Sequence, residues 1–172
     1  MAMPSRAALI SVEEYLRTSY QDGDREYVDG VVVERNFGEK PHSRMQRQLI
    51  GWFSRHEKTL GTFCFPEQRV QAKPSRIRVP DVCVYIGREP DENIFTTPPF
   101  LVVEILSTDD RARELQDKID DYLSFGVPFV WVIDPVAKRG YIHARDGSHE
   151  ARDGSLRTTN PEIAVTLSEL FE

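Results

Sequence analysis

Cysteine is scarce: the chain of 172 residues has two, Cys64 and Cys83. That is too few for a disulfide framework and does not match any zinc-knuckle spacing, so reduced thiols and a cytoplasmic setting are expected. Long apolar runs are missing too. The best, residues 100–106, is interrupted by Glu104 and falls well short of the ~20 residues of a membrane span. The apolar stretch 7–10 is too short for a signal-peptide core. Excess positive charge is absent, with 22 Lys and Arg against 28 Asp and Glu and a formal charge of −6. Dedicated nucleic-acid binders are usually net basic, because they neutralise phosphates. A nuclease is not excluded by an acidic balance, since its centre must be acidic to hold metal. No glycine-rich phosphate loop is present, which weighs against an enzyme of nucleotide phosphates. What is there fits one folded domain spanning residues 1–172. A hydrophobic fraction of 40% with 10% aromatics excludes a disordered chain, and ten Gly with eleven Pro exclude a fibrous one.

The pattern along the chain predicts an α/β fold. Ser11 with Glu14 forms a capping box for a helix over 11–18, with Ile10 and Tyr15 as its staple. Asp29-Gly30 marks a two-residue hairpin turn within 25–34, pairing Val28 with Val31 and Glu26 with Val33. Pro41 opens a second helix with Met45, Leu49, Trp52 and Phe53 on its apolar stripe. Its other faces carry His42, Arg44, Arg47, Arg55, His56 and Lys58, and Gly61 ends it. Strands are predicted over 62–65, 69–72, 78–86 (split by Pro80), 100–106, 129–133 and 140–144. A third helix, capped by Ser107 or Thr108, runs to Phe125 and is closed by Gly126. This strand–helix–strand unit predicts a right-handed crossover with two parallel neighbours. Beyond it, 145–160 reads as loop inside a C-terminal tail over 145–172. The N-terminal helix and hairpin occupy 11–34 and the core 41–144.

Three residues sit oddly in this pattern. Glu104 alternates with Val102 and Leu106 on one face of an apolar strand. An ionised carboxylate there needs a partner, a proton or a cation; a salt bridge or a solvent-open strand end would also account for it. Asp81 follows Pro80, a breaker of the ladder that can aim a side chain into a site or simply make a turn. Lys118 lies on the sheet-facing edge of the third helix, four residues before Tyr122 and beside Arg111, where a snorkelling lysine is the bland alternative. Together, two carboxylates on neighbouring strands and a lysine from the following helix suit Mg²⁺ or Mn²⁺ rather than zinc. Such an ion polarises a phosphate and activates water, and the lysine would assist that water.

The chain resembles the Uma-type restriction endonuclease family of the PD-(D/E)XK nuclease superfamily. The resemblance is carried by residues 26–30, His42, residues 79–82 and 103–107, Lys118 with Tyr122, Gly126-Val127 and residues 131–135. It implies a restriction-endonuclease-like core, a mixed central sheet flanked by helices. It implies Asp81, Glu104 and the Ile105 carbonyl as metal ligands, Glu26 as an additional acid, and Lys118 in place of the motif lysine, whose usual position is Leu106. His42, Tyr122 and Arg78 would lie at the periphery of the site. The expected activity is Mg²⁺- or Mn²⁺-dependent hydrolysis of DNA phosphodiesters, with Arg44, Arg47, Arg69, Lys73, Arg76 and Arg78 as phosphate contacts and a homodimer as the resemblance's usual assembly. The alternative is a non-catalytic nucleic-acid- or protein-binding module on the same scaffold. Glu13, Glu14 and Asp120-Asp121 read as solvated faces, and the two cysteines as small buried hydrophobes.

Overall fold

The computed structural model describes residues 8–21, 25–36 and 38–172; Ala7, first residue of the short N-terminal apolar stretch, lies outside them. Helix α1 (Val12–Arg17) starts where Ser11 Oγ accepts the Glu14 N–H at 3.1 Å. It buries Tyr15 against Tyr27 and Ile77. Strands β1 (Glu26–Val28) and β2 (Val31–Val33) pair in the expected register. Asp29 and Gly30 both take positive φ, 50° and 91°, as the tight turn that matches strand twist requires. Helix α2 (Lys40–Leu60) buries Met45, Leu49, Trp52 and Phe53 and stops at left-handed Gly61.

The strands β3 (Thr62–Pro66), β4 (Val70–Lys73), β5 (Arg76–Arg78), β6 (Val82–Ile86) and β7 (Leu101–Ile105) follow. Helix α3 (Ala112–Phe125) then crosses to β8 (Phe129–Asp134), which lies parallel to β7. After it come β9 (Arg139–Ala144), β10 (Gly147–Glu150), β11 (Ser155–Arg157), β12 (Ala164–Thr166) and α4 (Leu167–Phe171). The central sheet is mixed, in the order β10-β9-β8-β7-β6-β3, and a second sheet runs β2-β1-β5-β4. Val82, Val84, Leu101, Val103, Ile105, Trp131 and Ile133 face the core shared with α2 and α4. Cys83, Val102, Val130 and Val132 face the core under α3. The strand alternation therefore delivers Glu104 to the α3 side. Cys83 and the half-buried Cys64 are packed apolar groups, and burial pushes the Cys64 thiol up to about 12.

Three expectations need correction. Residues 78–86 are not one interrupted strand: β5 belongs to one sheet and β6 to the other, and Val79-Pro80-Asp81 joins them. Pro80 has no N–H to offer a ladder, so the chain changes sheets there. Helix α3 begins at Ala112 with Arg111 as its uncapped N-terminal neighbour. Ser107 is taken instead by a turn in which its N–H donates to Asp110 Oδ2 at 2.7 Å. The stretch 145–160, expected as loop, carries β10 and β11. Arg145-Asp146 turns β9 into β10, and Leu156, Ile163, Val165, Leu167 and Leu170 complete the α2-side core. Gly140 on β9 admits this cover: a Cβ there would lie 2.9 Å from Leu156 Cδ2 and 3.1 Å from Leu167 Cδ2. Gly140→Ala is therefore expected to lower stability in urea denaturation by about 1–3 kcal/mol, as overpacking does.

Candidate active site

A cleft of about 250 Å³ opens at the seam between the two sheets. β1 and the segment after β2 form one wall, the C-terminal end of β7 the floor, and the first turns of α3 the other wall. Glu26, Arg35, His42, Asp81, Glu104, Ile105, Ser107 and Lys118 all line it.

Asp81 owes its place to the sheet change at Pro80. It is 4% exposed, so the surface-turn alternative does not hold. Its Oδ2 accepts the Ile105 N–H at 2.7 Å, which ties it to the end of β7. Its Oδ1 receives Arg35 Nη2 and His42 Nε2, each at 3.1 Å. Gln46, one turn after His42 on α2, donates to the Asp81 carbonyl at 2.9 Å. The hydrogen bond to Asp81 outweighs burial and raises the His42 pKa.

Glu104 is 6% exposed. Tyr122 donates its hydroxyl to Oε1 at 2.7 Å, and Lys118 Nζ lies 3.6 Å from Oε2. Lys118 also lies 3.3 Å from Glu26 Oε1. Burial pushes Glu104 up to about 7; Lys118 pulls it down, while Asp81 and Glu26 add to the rise. For Lys118 burial works against the charge, but Glu104 and Glu26 outweigh it and raise the ammonium above its ordinary value. Burial and the nearby Glu104 keep the Tyr122 phenol protonated, so it can only donate to the carboxylate.

Glu26 is not open to the cleft on all sides. Arg78 Nη1 and the Val79 N–H hold its two oxygens at 2.9 and 3.0 Å. Arg78 in turn binds Asp121 through Nε and Nη2 at 2.8 and 2.7 Å. Asp121 therefore is no solvated residue. It is fully buried and also takes Lys73 at 3.0 Å and Arg76 at 2.8 Å. Lys73, Arg76 and Arg78, expected as phosphate contacts, are paired here with Asp121, Asp29 and Glu26. Arg44 is likewise turned to the Glu172 backbone carbonyl at 2.6 Å. Glu13, Glu14 and Asp120 are exposed, as expected, and so is Arg111.

Sequence reasoning missed Arg35, Gln46 and the cleft role of Ser107. Arg35 follows the hairpin in a polar stretch with no periodicity to flag it. Gln46 was legible in principle, since it stands one helical turn from His42. Ser107 Oγ is buried at the cleft and has no hydrogen-bond partner among the described residues.

Among the described residues no three His, Cys, Asp or Glu side chains form a group that could hold a metal ion on its own. Mg²⁺ and Mn²⁺ take one or two carboxylates and keep several waters. Glu104 retains acceptor capacity on Oε2, Asp81 retains one acceptor direction on Oδ2, and orphaned Ser107 Oγ lies on the same cleft. The residues present fit such an ion.

Over residues 12–170 the chain matches the model of the Uma2 family, described as "Putative restriction endonuclease". The fold is similar to the crystal structure of a "putative nuclease belonging to DUF820" from Anabaena variabilis ATCC 29413. That likeness has a TM-score of 0.80 at 23% identity and covers 94% of this chain and 97% of the other. No curated protein matches the chain. No helix among the described residues is long and apolar enough to cross a membrane. Since the family match takes in every element that lines the cleft, from β1 to α3, the chain belongs to the Uma2 restriction endonuclease-like family.

Proposed function

We propose that the protein hydrolyses phosphodiester bonds of DNA with Mg²⁺ or Mn²⁺ at this cleft. The observation that carries this reading is the convergence on one cleft of three buried carboxylates, Glu26, Asp81 and Glu104, with the Lys118 ammonium 3.3 Å from Glu26 and 3.6 Å from Glu104. Asp81 and Glu104 would hold the ion, with the Ile105 carbonyl as the further ligand implied by the family. A cation so placed would polarise the phosphate and lower the pKa of the attacking water. The remaining work falls to the chain itself. Lys118, held protonated by Glu104 and Glu26, is a donor and not a base; it orients the water and offsets charge growing on the phosphate. Tyr122 fixes the Glu104 carboxylate from behind. Glu26, anchored by Arg78, keeps Lys118 on the cleft side of α3.

The test is incubation of purified protein with supercoiled plasmid and Mn²⁺, beside Lys118→Met. The variant is expected to cut on the order of 10²-fold more slowly, the usual cost of losing one donor to a developing negative charge. It should still bind Mn²⁺ by calorimetry. Cleavage equal to wild type would remove Lys118 from the mechanism. A second reading, a non-catalytic binding module, is favoured by one observation: Asp81 Oδ1 is taken by both Arg35 and His42. DNA binding without any Mn²⁺ binding would support that reading over the first.

A further inference from the structure

We propose that Arg35 and the divalent cation are alternative counter-ions of Asp81, so that the ion gains its place by displacing the guanidinium. The inference rests on the metal-dependent reading above and concerns which side chain gates the site. Arg35 Nη2 lies 3.1 Å from Asp81 Oδ1, and Arg35 Nη1 is 3.6 Å from Glu67. The pair is unequal in its surroundings. The Asp81 side chain is 5% exposed and that of Arg35 18%, while Glu67 is half exposed at 52%. The guanidinium therefore has a second carboxylate on its solvent side to retire to, and Asp81 has nowhere to go. Asp81 is fixed from the other side by the Ile105 N–H, which keeps Oδ2 aimed at the floor of the cleft. Arg35 is also free of the wider arginine network: Arg76 and Arg78 are held by Asp29, Asp121 and Glu26, whereas Arg35 touches Asp81 and Glu67 alone among the described acidic residues. It follows β2 in an irregular segment, where a side chain can change partner without disturbing a helix or strand.

A guanidinium released from Asp81 stays on the wall of the same cleft, where an incoming phosphodiester is the anion it can meet. This exchange reconciles an Asp81 whose Oδ1 is taken with a working centre: Arg35, beside His42 on the same oxygen, offsets the buried charge until the ion replaces the guanidinium.

Calorimetric titration with Mn²⁺ alone tests the exchange, with the site's isotherm defined as the part lost in Glu104→Gln. Arg35→Gln is expected to bind Mn²⁺ about tenfold more tightly than wild type, since a charge-assisted hydrogen bond no longer competes. Arg111→Gln makes the same charge change on the cleft wall without touching Asp81, and its affinity is expected within about twofold of wild type, as a screened surface charge allows. Thermal unfolding of each variant confirms that it is folded, and Arg35→Lys, which keeps the charge but loses the fork, should fall between. Equal or weaker binding by Arg35→Gln, or equal tightening by Arg111→Gln, overturns the exchange while leaving the metal-dependent reading in place. Binding by neither wild type nor Arg35→Gln overturns both. Binding by Arg35→Gln alone shows a permanent lock, overturns the exchange and favours the non-catalytic module.

Discussion

Glu104→Gln is expected to lower Mn²⁺-dependent plasmid cleavage by on the order of 10³-fold or more while leaving the fold intact, because one ligand oxygen set is replaced by an amide that binds hard cations poorly. The shape of the side chain is kept, and the amide oxygen can still accept the Tyr122 hydroxyl that now reaches Glu104 at 2.7 Å. Stability should move the other way from activity. Burial raises Glu104 to about 7, so its charged form is the costly one in the folded state. Between about pH 4.5 and 7 the folded protein holds a proton that the unfolded chain has released, and wild-type stability falls as pH rises through that window. A neutral glutamine does not carry this cost. At pH 8 the variant is expected to melt no lower than wild type, with the difference moving back towards wild type as pH drops to 5. An inactive variant that also melts well below wild type at pH 8 would place Glu104 among structural residues.

The largest loss of stability is expected at a residue behind the cleft and not among those that line it. Asp121 is fully buried and binds Lys73, Arg76 and Arg78 at once. Asp121→Ala strands the buried Arg78 guanidinium with Glu26 alone, and breaking a buried ion pair on one side costs about 3–5 kcal/mol. Burial works to raise the Asp121 pKa, but the Lys73 and Arg78 hydrogen bonds and the charge of Arg76 outweigh it and lower it. A carboxylate lowered in the folded state adds stability above its unfolded value, ~3.9, and that contribution fades as pH falls through the lower folded value. Urea denaturation should therefore show the full difference from wild type at pH 7 and one that shrinks as pH falls below the unfolded value, ~3.9. A pH-independent difference would mean lost packing instead. Activity should fall too, through Arg78 and Glu26 to Lys118.

Periodicity carried most of the scaffold. The hairpin register, the long amphipathic α2 and the parallel β7–β8 crossover all follow from apolar spacing and turn residues, and the burial of Glu104 follows from strand alternation alone. Lys118 and Tyr122 could be placed because one helical turn separates them. What stayed hidden depends on contacts between distant segments. Asp121 shares a helix face with nothing that advertises three cationic partners from β4 and β5. Arg35 lies outside any repeating pattern. The C-terminal strands are short and polar on their outer faces, so their pairing shows only in three dimensions. The pairing of the basic residues was hidden as well, since a charge in sequence says nothing of the carboxylate it will meet.

The passage from β5 to β6 has a consequence for how the chain tolerates insertions and deletions. Residues 79–81 end one sheet, begin the other and place Asp81 against the Ile105 amide. One residue gained or lost there would shift β6 against β7, exchanging Cys83 and Tyr85 with Val82 and Val84 between the two cores, since a single step turns every strand side chain over. Length change in the exposed connection 87–93 has no such reach. The same three residues therefore keep the reading frame of the interior and of the cleft, and neither can drift without the other.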